Sequence, residues 1–403
     1  MFVNVAVFVL ALPELACAGY LGALALLSTE QRDDSHDEEP ITRFDVIVPA
    51  HNEELGIEAT VKNLLAVDYP PSMRRVVVVA DNCSDKTADR ARAAGADVME
   101  RTDKVRRGKG YALAYAFERS IGERGERAVD AVVVVDADTK VSSNLLRAFD
   151  ARLRKGAQAA QAEYCVANPD ASWRTRLMHI GFTLFHDVRS RARERLGLSA
   201  GLRGNGMAFS TAVLKEVPHE AFSIVEDVEY GIRLGLAGHR VHYAGHAKVY
   251  GEMVASEEGS RSQRSRWEGG RLALVRQHAL PLLREAWRRK SVVLLDLAAD
   301  LLVPPLTYVV ITTFGGTAVA LAWVALGGGA WWAAAPWLLA SGLVLVYVGR
   351  GLWLAGVGPR AVVDLAYAPV YMVWKVALAA RTSAKQSAPQ AEWVRTAREG
   401  EAR

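Results

Sequence analysis

Val132-Val133-Val134-Val135-Asp136-Ala137-Asp138 is the stretch that decides the fold. Four β-branched residues in succession leave no polar face for water, the mark of a strand buried on both faces of a parallel sheet. The run then ends in two carboxylates, Asp136 and Asp138, two positions apart. In open α/β sheets, ligands lie just beyond the carboxyl ends of the strands. Two carboxylates at such a point repel one another unless a cation joins them to an anionic ligand. Hard divalent ions take oxygen ligands of this kind and commonly bridge to substrate phosphates. The plain structural alternative is that Asp138 caps a helix that follows a core strand.

Outward from this stretch, the central region alternates strands and helices. Phe44-Asp45-Val46-Ile47-Val48-Pro49 reads as a first strand, and Asn52-Glu53-Glu54 as the opening of a helix whose first turn favours acids. Residues 75–80 read as a second strand ending at Asp81-Asn82-Cys83-Ser84-Asp85, followed by a helix over 86–94 and a short strand over 98–101. Gly108-Lys109-Gly110 introduces a helix reaching 118, and 129–135 is the strand that ends at the carboxylate pair. This alternation predicts an α/β domain with a doubly wound, mostly parallel sheet. No GxGxxG follows the first strand. Gly201-Leu202-Arg203-Gly204-Asn205-Gly206 lacks that spacing and that strand-to-helix position. GxxxxGK[ST] is also missing, so neither a dinucleotide oxidoreductase nor a phosphate-loop NTPase fits.

The ends of the chain differ from its middle. A net charge of +4 over 403 residues is too small to argue for nucleic acid, and 51% hydrophobic residues conceal two apolar ends around an Arg-, Asp- and Glu-rich centre. Residues 3–27 hold a single charged side chain, Glu14, and are long enough to span a bilayer. The extreme N-terminus has no Lys or Arg, which weighs against a signal peptide. Residues 301–326 and 331–348 are two further apolar runs, joined by Gly327-Gly328-Gly329 with Trp331 and Trp332 beside the turn. They predict a transmembrane hairpin with an interfacial aromatic anchor. Arg284, Arg288, Arg289 and Lys290 precede the hairpin, and Arg350 and Arg360 follow it. Both of its flanks, and the central domain with them, are therefore expected on the cytoplasmic side.

The expected organisation is a transmembrane helix over 1–28, an acidic linker over 29–43, a central α/β domain over 44–280 and an interfacial helix over 281–300. A membrane region over 301–380 and a cytoplasmic tail over 381–403 complete it. Within it, 361–380 is a weaker apolar run, interrupted by Asp364, Pro369 and Lys375, that crosses, re-enters or lies along the bilayer. Cys17, Cys83 and Cys165 form no metal-spaced pair and no disulfide framework.

Five segments in order carry a family resemblance. They are Val46-Ile47-Val48-Pro49-Ala50-His51-Asn52-Glu53-Glu54, Val79-Ala80-Asp81-Asn82, Asp136-Ala137-Asp138, Val225-Glu226-Asp227-Val228-Glu229 and Gln263-Arg264-Ser265-Arg266-Trp267. Over residues 44–275 the chain resembles the inverting nucleotide-sugar glycosyltransferases of family 2. Within them it is similar to the membrane-embedded branch of cellulose, chitin and hyaluronan synthases and ceramide glucosyltransferase. The resemblance implies a GT-A fold with flanking transmembrane helices, a UDP-sugar donor, Mg²⁺ or Mn²⁺, and a β-linked sugar added to a polysaccharide or lipid acceptor. It also implies an integral protein of the bacterial inner membrane, with export or assembly partners possible and no nucleic acid.

Residue by residue, the resemblance makes Glu53 and Asp81 the acids that contact uridine or ribose, where acceptor oxygens suit N–H and O–H donors. Lys109 is a point charge for the diphosphate. Asp138 contacts the metal, and Asp136 the metal or ribose. Asp227 is the general base, with Glu226 and Glu229 its competitors, and Val225 stands where the family has threonine. Gln263, Arg266 and Trp267 match QxxRW, the arginine a fork for diphosphate and the tryptophan a platform for the acceptor sugar. Arg203 and Gly204 belong to an acceptor-side loop, where glycine lets backbone approach a sugar. Residues 393–398, basic and aromatic, are either a gate over the site or a solvated tail. QxxRW disfavours the rival reading, a polyprenyl-phosphate glycosyltransferase. Asp138 and Asp227 disfavour a catalytically inactive membrane scaffold.

Overall fold

The computed structural model describes residues 1–36, 38–123, 125, 128–253, 257–358, 360–367 and 372, with backbone alone for 257–268 and 360–362. Its centre is one eight-stranded mixed sheet. The strands are β1 (Phe44–Ala50), β2 (Arg74–Asp81), β3 (Asp97–Arg101), β4 (Ala131–Val134), β5 (Thr139–Val141), β6 (Ala159–Val166), β7 (Met207–Ser210) and β8 (Val241–Gly251), in the order β3-β2-β1-β4-β7-β6-β8-β5. β1 runs parallel to β2 and β4, and β2 to β3, whereas β4 meets β7 antiparallel. The parallel half ends at β4, so the carboxylate pair sits where the direction of the sheet changes.

The valine run is buried on both faces, as the sequence predicts. Val133 and Val135 pack on one side with Ile57, Val61 and Leu64 of α2 (Ile57–Leu65) and with Phe149 of α5 (Leu145–Arg154). Val132 and Val134 pack on the other with Leu113 and Phe117 of α4 (Lys109–Gly122) and Tyr230 and Leu234 of α9 (Glu226–Ala237). The carboxylate stretch leads into β5, not a helix, and Thr139 closes the turn by donating its N–H to Asp136 O at 3.1 Å. The helix-cap alternative for Asp138 therefore falls.

Other expectations shift at their edges. α2 starts at Ile57, not at Asn52-Glu53-Glu54. Asn52 takes φ +56°, a left-handed turn that asparagine tolerates, and Glu53 O instead accepts the N–H groups of Gly56 and Ile57. The single helix expected over 281–300 is divided. α10 (Glu257–Arg289) ends before Lys290, which takes φ +51°, and α11 (Val292–Leu302) restarts behind Ser291, whose Oγ accepts the N–H of Leu294. The acidic linker docks on the basic end of α5, where Asp34 pairs with Arg152 and Lys155, and Glu38 with Arg154.

Among the described residues three helices are long and apolar enough to cross a membrane: α1 (Phe2–Leu27), α12 (Leu306–Ala325) and α13 (Trp331–Leu354). α12 begins five residues later than the sequence suggests, after Pro304 and Pro305. α1 lies on α13 with Gly22 against Leu343, and α12 meets α13 where Gly316 faces the Trp337 ring. Trp337 Nε1 donates to Val7 O at 2.9 Å, and Trp323 Nε1 to Asn4 Oδ1 at 3.1 Å. The sheet domain reaches this bundle through α6 (Trp173–Phe182), a π-helical segment at Thr183–Val188 and α7 (Arg189–Arg195), with Leu184 and Val188 packed beside Leu21, Val344 and Tyr347. Residues 381–403 and most of 361–380 lie outside the described residues, of which α14 (Arg360–Ala366) is the visible part.

Candidate active site

The site forms beyond the carboxyl end of β4. Lys109 is the first residue of α4, entered through Gly108 at φ +120°, a conformation that needs glycine. Its Nζ donates to Asp136 Oδ1 at 2.5 Å and to Gly204 O, and lies 3.8 Å from Glu226 Oε1. Gly204 takes φ +78°, and a Cβ there would stand 3.4 Å from Asp227 Oδ2. Lys109, Asp136, Gly204, Glu226 and Asp227 are thus brought together from α4, the β4–β5 turn, the 201–206 loop and the first turn of α9.

The electrostatics follow from crowding three carboxylates around one cation. Burial opposes charge on Lys109, but Asp136, Glu226 and Asp227 outweigh it and hold the ammonium above the ordinary lysine range. Burial pushes Glu226 up to about 8, against the pull of Lys109 and with the help of Asp227. Burial likewise raises Asp136 and Asp227, the latter opposed by hydrogen bonding to the N–H of Val228 and by Lys109. Glu226 is buried and Asp227 half-buried, so the two acids differ in their access to a substrate. Asp138 is exposed at the mouth of the turn.

Two further acids lie along the same edge of the sheet. Asp81 ends β2, and its Oδ1 accepts from Arg101 at 2.6 Å in a buried ion pair. Glu53 follows β1, and its N–H donates to Thr87 Oγ1 at 2.8 Å. The side chains of Gln263, Arg266 and Trp267 lie outside the described residues; their backbone belongs to α10. That helix passes close to the acidic pair, because a Cβ on Gly270 would stand 3.1 Å from the Val225 side chain. Val225, where the family pattern has threonine, fills an apolar cluster with Ile232 of α9, Leu274 of α10 and Leu294 of α11.

The sequence reading missed the residues that hold the loop in place. Asn205 is fully buried; its Oδ1 accepts the N–H of Asp136 at 3.1 Å and its Nδ2 donates to Thr139 Oγ1 at 2.7 Å. Gln161, also buried, accepts the N–H of Arg203 at 2.8 Å and donates to Asn205 O at 2.7 Å. An asparagine between two glycines was the available signal for Asn205. Nothing local marked Gln161, whose partners lie about forty residues away.

The family model described as "Glycosyltransferase like family 2" matches residues 42–270, more than half of the chain and the whole of this site. The chain belongs to glycosyltransferase family 2. It is similar to the probable glycosyltransferase YdaM of Bacillus subtilis, 24% identical over 58% of this chain and 56% of that protein. It is also similar to the beta-monoglucosyldiacylglycerol synthase of Trichormus variabilis, 29% identical over 56% of this chain and 48% of that protein. The chain thus spans about half the length of these curated relatives. A solved mannosyltransferase from Pyrobaculum calidifontis, in complex with GDP-Man and Mn²⁺, shares the fold. It aligns with a TM-score of 0.55 at 21% identity, over 92% of this chain and 99% of that one. This family 2 glycosyltransferase has the GT-A fold.

Proposed function

We propose that the chain transfers a sugar from a UDP-sugar, with inversion, to a polysaccharide or lipid acceptor at the cytoplasmic face of a bacterial inner membrane, forming a β-linkage. The observation that carries this is the convergence of Lys109, Asp136, Glu226 and Asp227 at the end of β4. Asp227 faces the glycine of the 201–206 loop, so it stands nearer an acceptor than the more deeply buried Glu226. It takes the proton of the acceptor hydroxyl, and that oxygen attacks the anomeric carbon from the face opposite the leaving diphosphate. Its raised pKa suits a base that must hold a proton after the step. Glu226 keeps Lys109 in position and charged, and Lys109 offsets the negative charge that gathers on the diphosphate.

Asp136 and Asp138 fit a divalent ion by donor chemistry. Among the described residues no three His, Cys, Asp or Glu side chains cluster as a metal cage. Two carboxylate oxygens completed by substrate phosphates are what Mg²⁺ or Mn²⁺ commonly takes. When bound, that ion neutralises charge on the leaving diphosphate. Asp138, exposed and beyond the Lys109 pair, is the direct ligand in this reading. Glu53 and Asp81 contact the nucleoside, Arg203 and Gly204 the acceptor, and Gln263, Arg266 and Trp267 the diphosphate and acceptor sugar.

The relatives' names span a glycolipid synthase and glucomannan 4-beta-mannosyltransferases, which supports a hexosyl donor and leaves both acceptor classes in view. The test is transfer by the full chain in membranes supplied with labelled UDP-glucose, UDP-N-acetylglucosamine, UDP-galactose or GDP-mannose. A labelled product from one UDP-sugar is expected. Transfer from GDP-mannose alone would overturn the donor assignment.

A further inference from the structure

The turn that carries Asp136 and Asp138 is held by side chains from outside it. Val135 is the last residue before it to bond across the sheet, its N–H donating to Ile47 O at 3.0 Å. Beyond that point the chain leaves the sheet, and its backbone groups need new partners. The N–H of Thr139 returns to Asp136 O at 3.1 Å, and Ala137 O accepts the hydroxyl of Thr60, from α2, at 2.7 Å. Two further ties come from a single side chain. Asn205 Oδ1 accepts the N–H of Asp136 at 3.1 Å, and Asn205 Nδ2 donates to Thr139 Oγ1 at 2.7 Å. One amide thus closes on the first and last residues of the turn. Asn205 and Thr139 are both fully buried, so water cannot take over either contact.

The residue type follows from the partners. A backbone N–H only donates, so it needs an acceptor, while the Thr139 hydroxyl here receives a donor. A primary amide carries both in one plane. The segment that bears this amide is itself fixed. Gln161 Nε2 donates to Asn205 O at 2.7 Å, and Gln161 Oε1 accepts the N–H of Arg203 at 2.8 Å. The N–H of Gly206 donates to Val134 O at 2.9 Å, and a Cβ on Gly206 would stand 2.8 Å from the Val249 side chain. On the other side of Asn205 is Gly204, whose O accepts Lys109 Nζ and whose Cβ position faces Asp227. Asn205 therefore joins the turn that bears two carboxylates to the loop that lies against the acidic pair.

We propose that Asn205 is a positioning residue for the cation site, its amide setting the spacing and direction of Asp136 and Asp138. The role rests on the metal reading given above. Two carboxylates two positions apart repel one another, and a turn without the clasp would let them part. Asn205 touches neither the ion nor the donor. It acts through the N–H of Asp136 and the hydroxyl of Thr139, and it keeps the carboxylates in register with Gly204 and Asp227. Groups that hold a metal's ligands from behind typically govern affinity by about 10- to 100-fold.

The test is Mn²⁺ binding to the full chain in neutral detergent, followed by the electron paramagnetic resonance signal of free Mn²⁺, with UDP present and in a second series with GDP. No transfer is measured. Asn205→Ala loses both contacts and should bind Mn²⁺ at least about tenfold more weakly than the unaltered chain. Thr139→Val keeps the volume and loses only the hydroxyl, so it should weaken Mn²⁺ binding in the same direction. Thr139→Ser keeps the hydroxyl and should bind as the unaltered chain does. Melting of each variant without ligand identifies loss of fold. A role confined to stability would lower the melting temperature and leave the Mn²⁺ affinity of the folded protein unchanged, which would overturn the proposal. Equal losses of affinity in Thr139→Val and Thr139→Ser would overturn it too. If Asn205→Ala does not fold, the two Thr139 variants decide the matter. Failure of the unaltered chain to take up Mn²⁺ with either nucleotide would overturn the metal reading and this role together, whereas uptake that every variant shares would overturn this role alone.

Discussion

At the residue scale, the carboxylates of the proposed site differ first in exposure. Asp138 is exposed, Asp227 half-buried and Glu226 buried, and only the last two crowd Lys109. Asp138→Asn should lower the transfer rate several hundred-fold, roughly 3–4 kcal/mol of transition-state stabilisation, and full activity in excess chelator would exclude this role. Asp227→Asn should abolish transfer while UDP binding changes by no more than a few-fold. Burial raises the pKa of Asp227 and of its partner Glu226, so the base is protonated, and rate lost, as pH falls through a range above that of ordinary carboxylates. The pH profile of kcat/KM should therefore show its acidic limb displaced upward; a limb at the usual carboxylate range would contradict this. The acids that gather around Lys109 were legible because acids at strand ends and helix starts stand out in sequence. Asn205 and Gln161 were not, since each acts through contacts between segments distant in the chain.

Elements explain how those residues are held. β1, β2 and β4 were readable from their β-branched runs, because a strand buried on both faces has no alternative pattern to adopt. The half of the sheet beyond β4 was less legible. β5 is three residues long, β7 four, and β8 pairs in both senses, so none carries enough periodicity to declare itself. The helix break at Lys290 was equally hidden, because a positive φ at lysine leaves no compositional trace. One contact is open to direct test. A Cβ on Gly110 would stand 2.3 Å from Ala221 O, a backbone atom that cannot swing aside. Gly110→Ala should destabilise the domain by about 1–3 kcal/mol and displace Lys109 with α4, raising the KM for the donor. Unchanged melting and unchanged KM would show that α4 can slide.

Across the whole molecule, the sheet, the acidic pair and the apolar helices form one connected path. α10 leaves the QxxRW segment, passes Val225 beside the acidic pair, and ends at the break that starts α11. α11 then supplies Asp296 and Asp300 to arginines of α7, and Asp296 also accepts from Tyr20 of α1 at 2.8 Å. Apolar length made the three long helices legible from sequence, while their contacts with α7 were not. The orientation predicts that a cysteine placed in the Gly327-Gly328-Gly329 turn is labelled from outside the cell; labelling only from the cytoplasm would reverse it. The most direct test of the central claim is the anomeric configuration of the product formed when the full chain, in membranes with Mn²⁺, is given labelled UDP-sugars. Transfer of label into a product with a β-linkage, absent in Asp227→Asn, is the expected result. An α-linked product, or no transfer from any UDP-sugar, would contradict it.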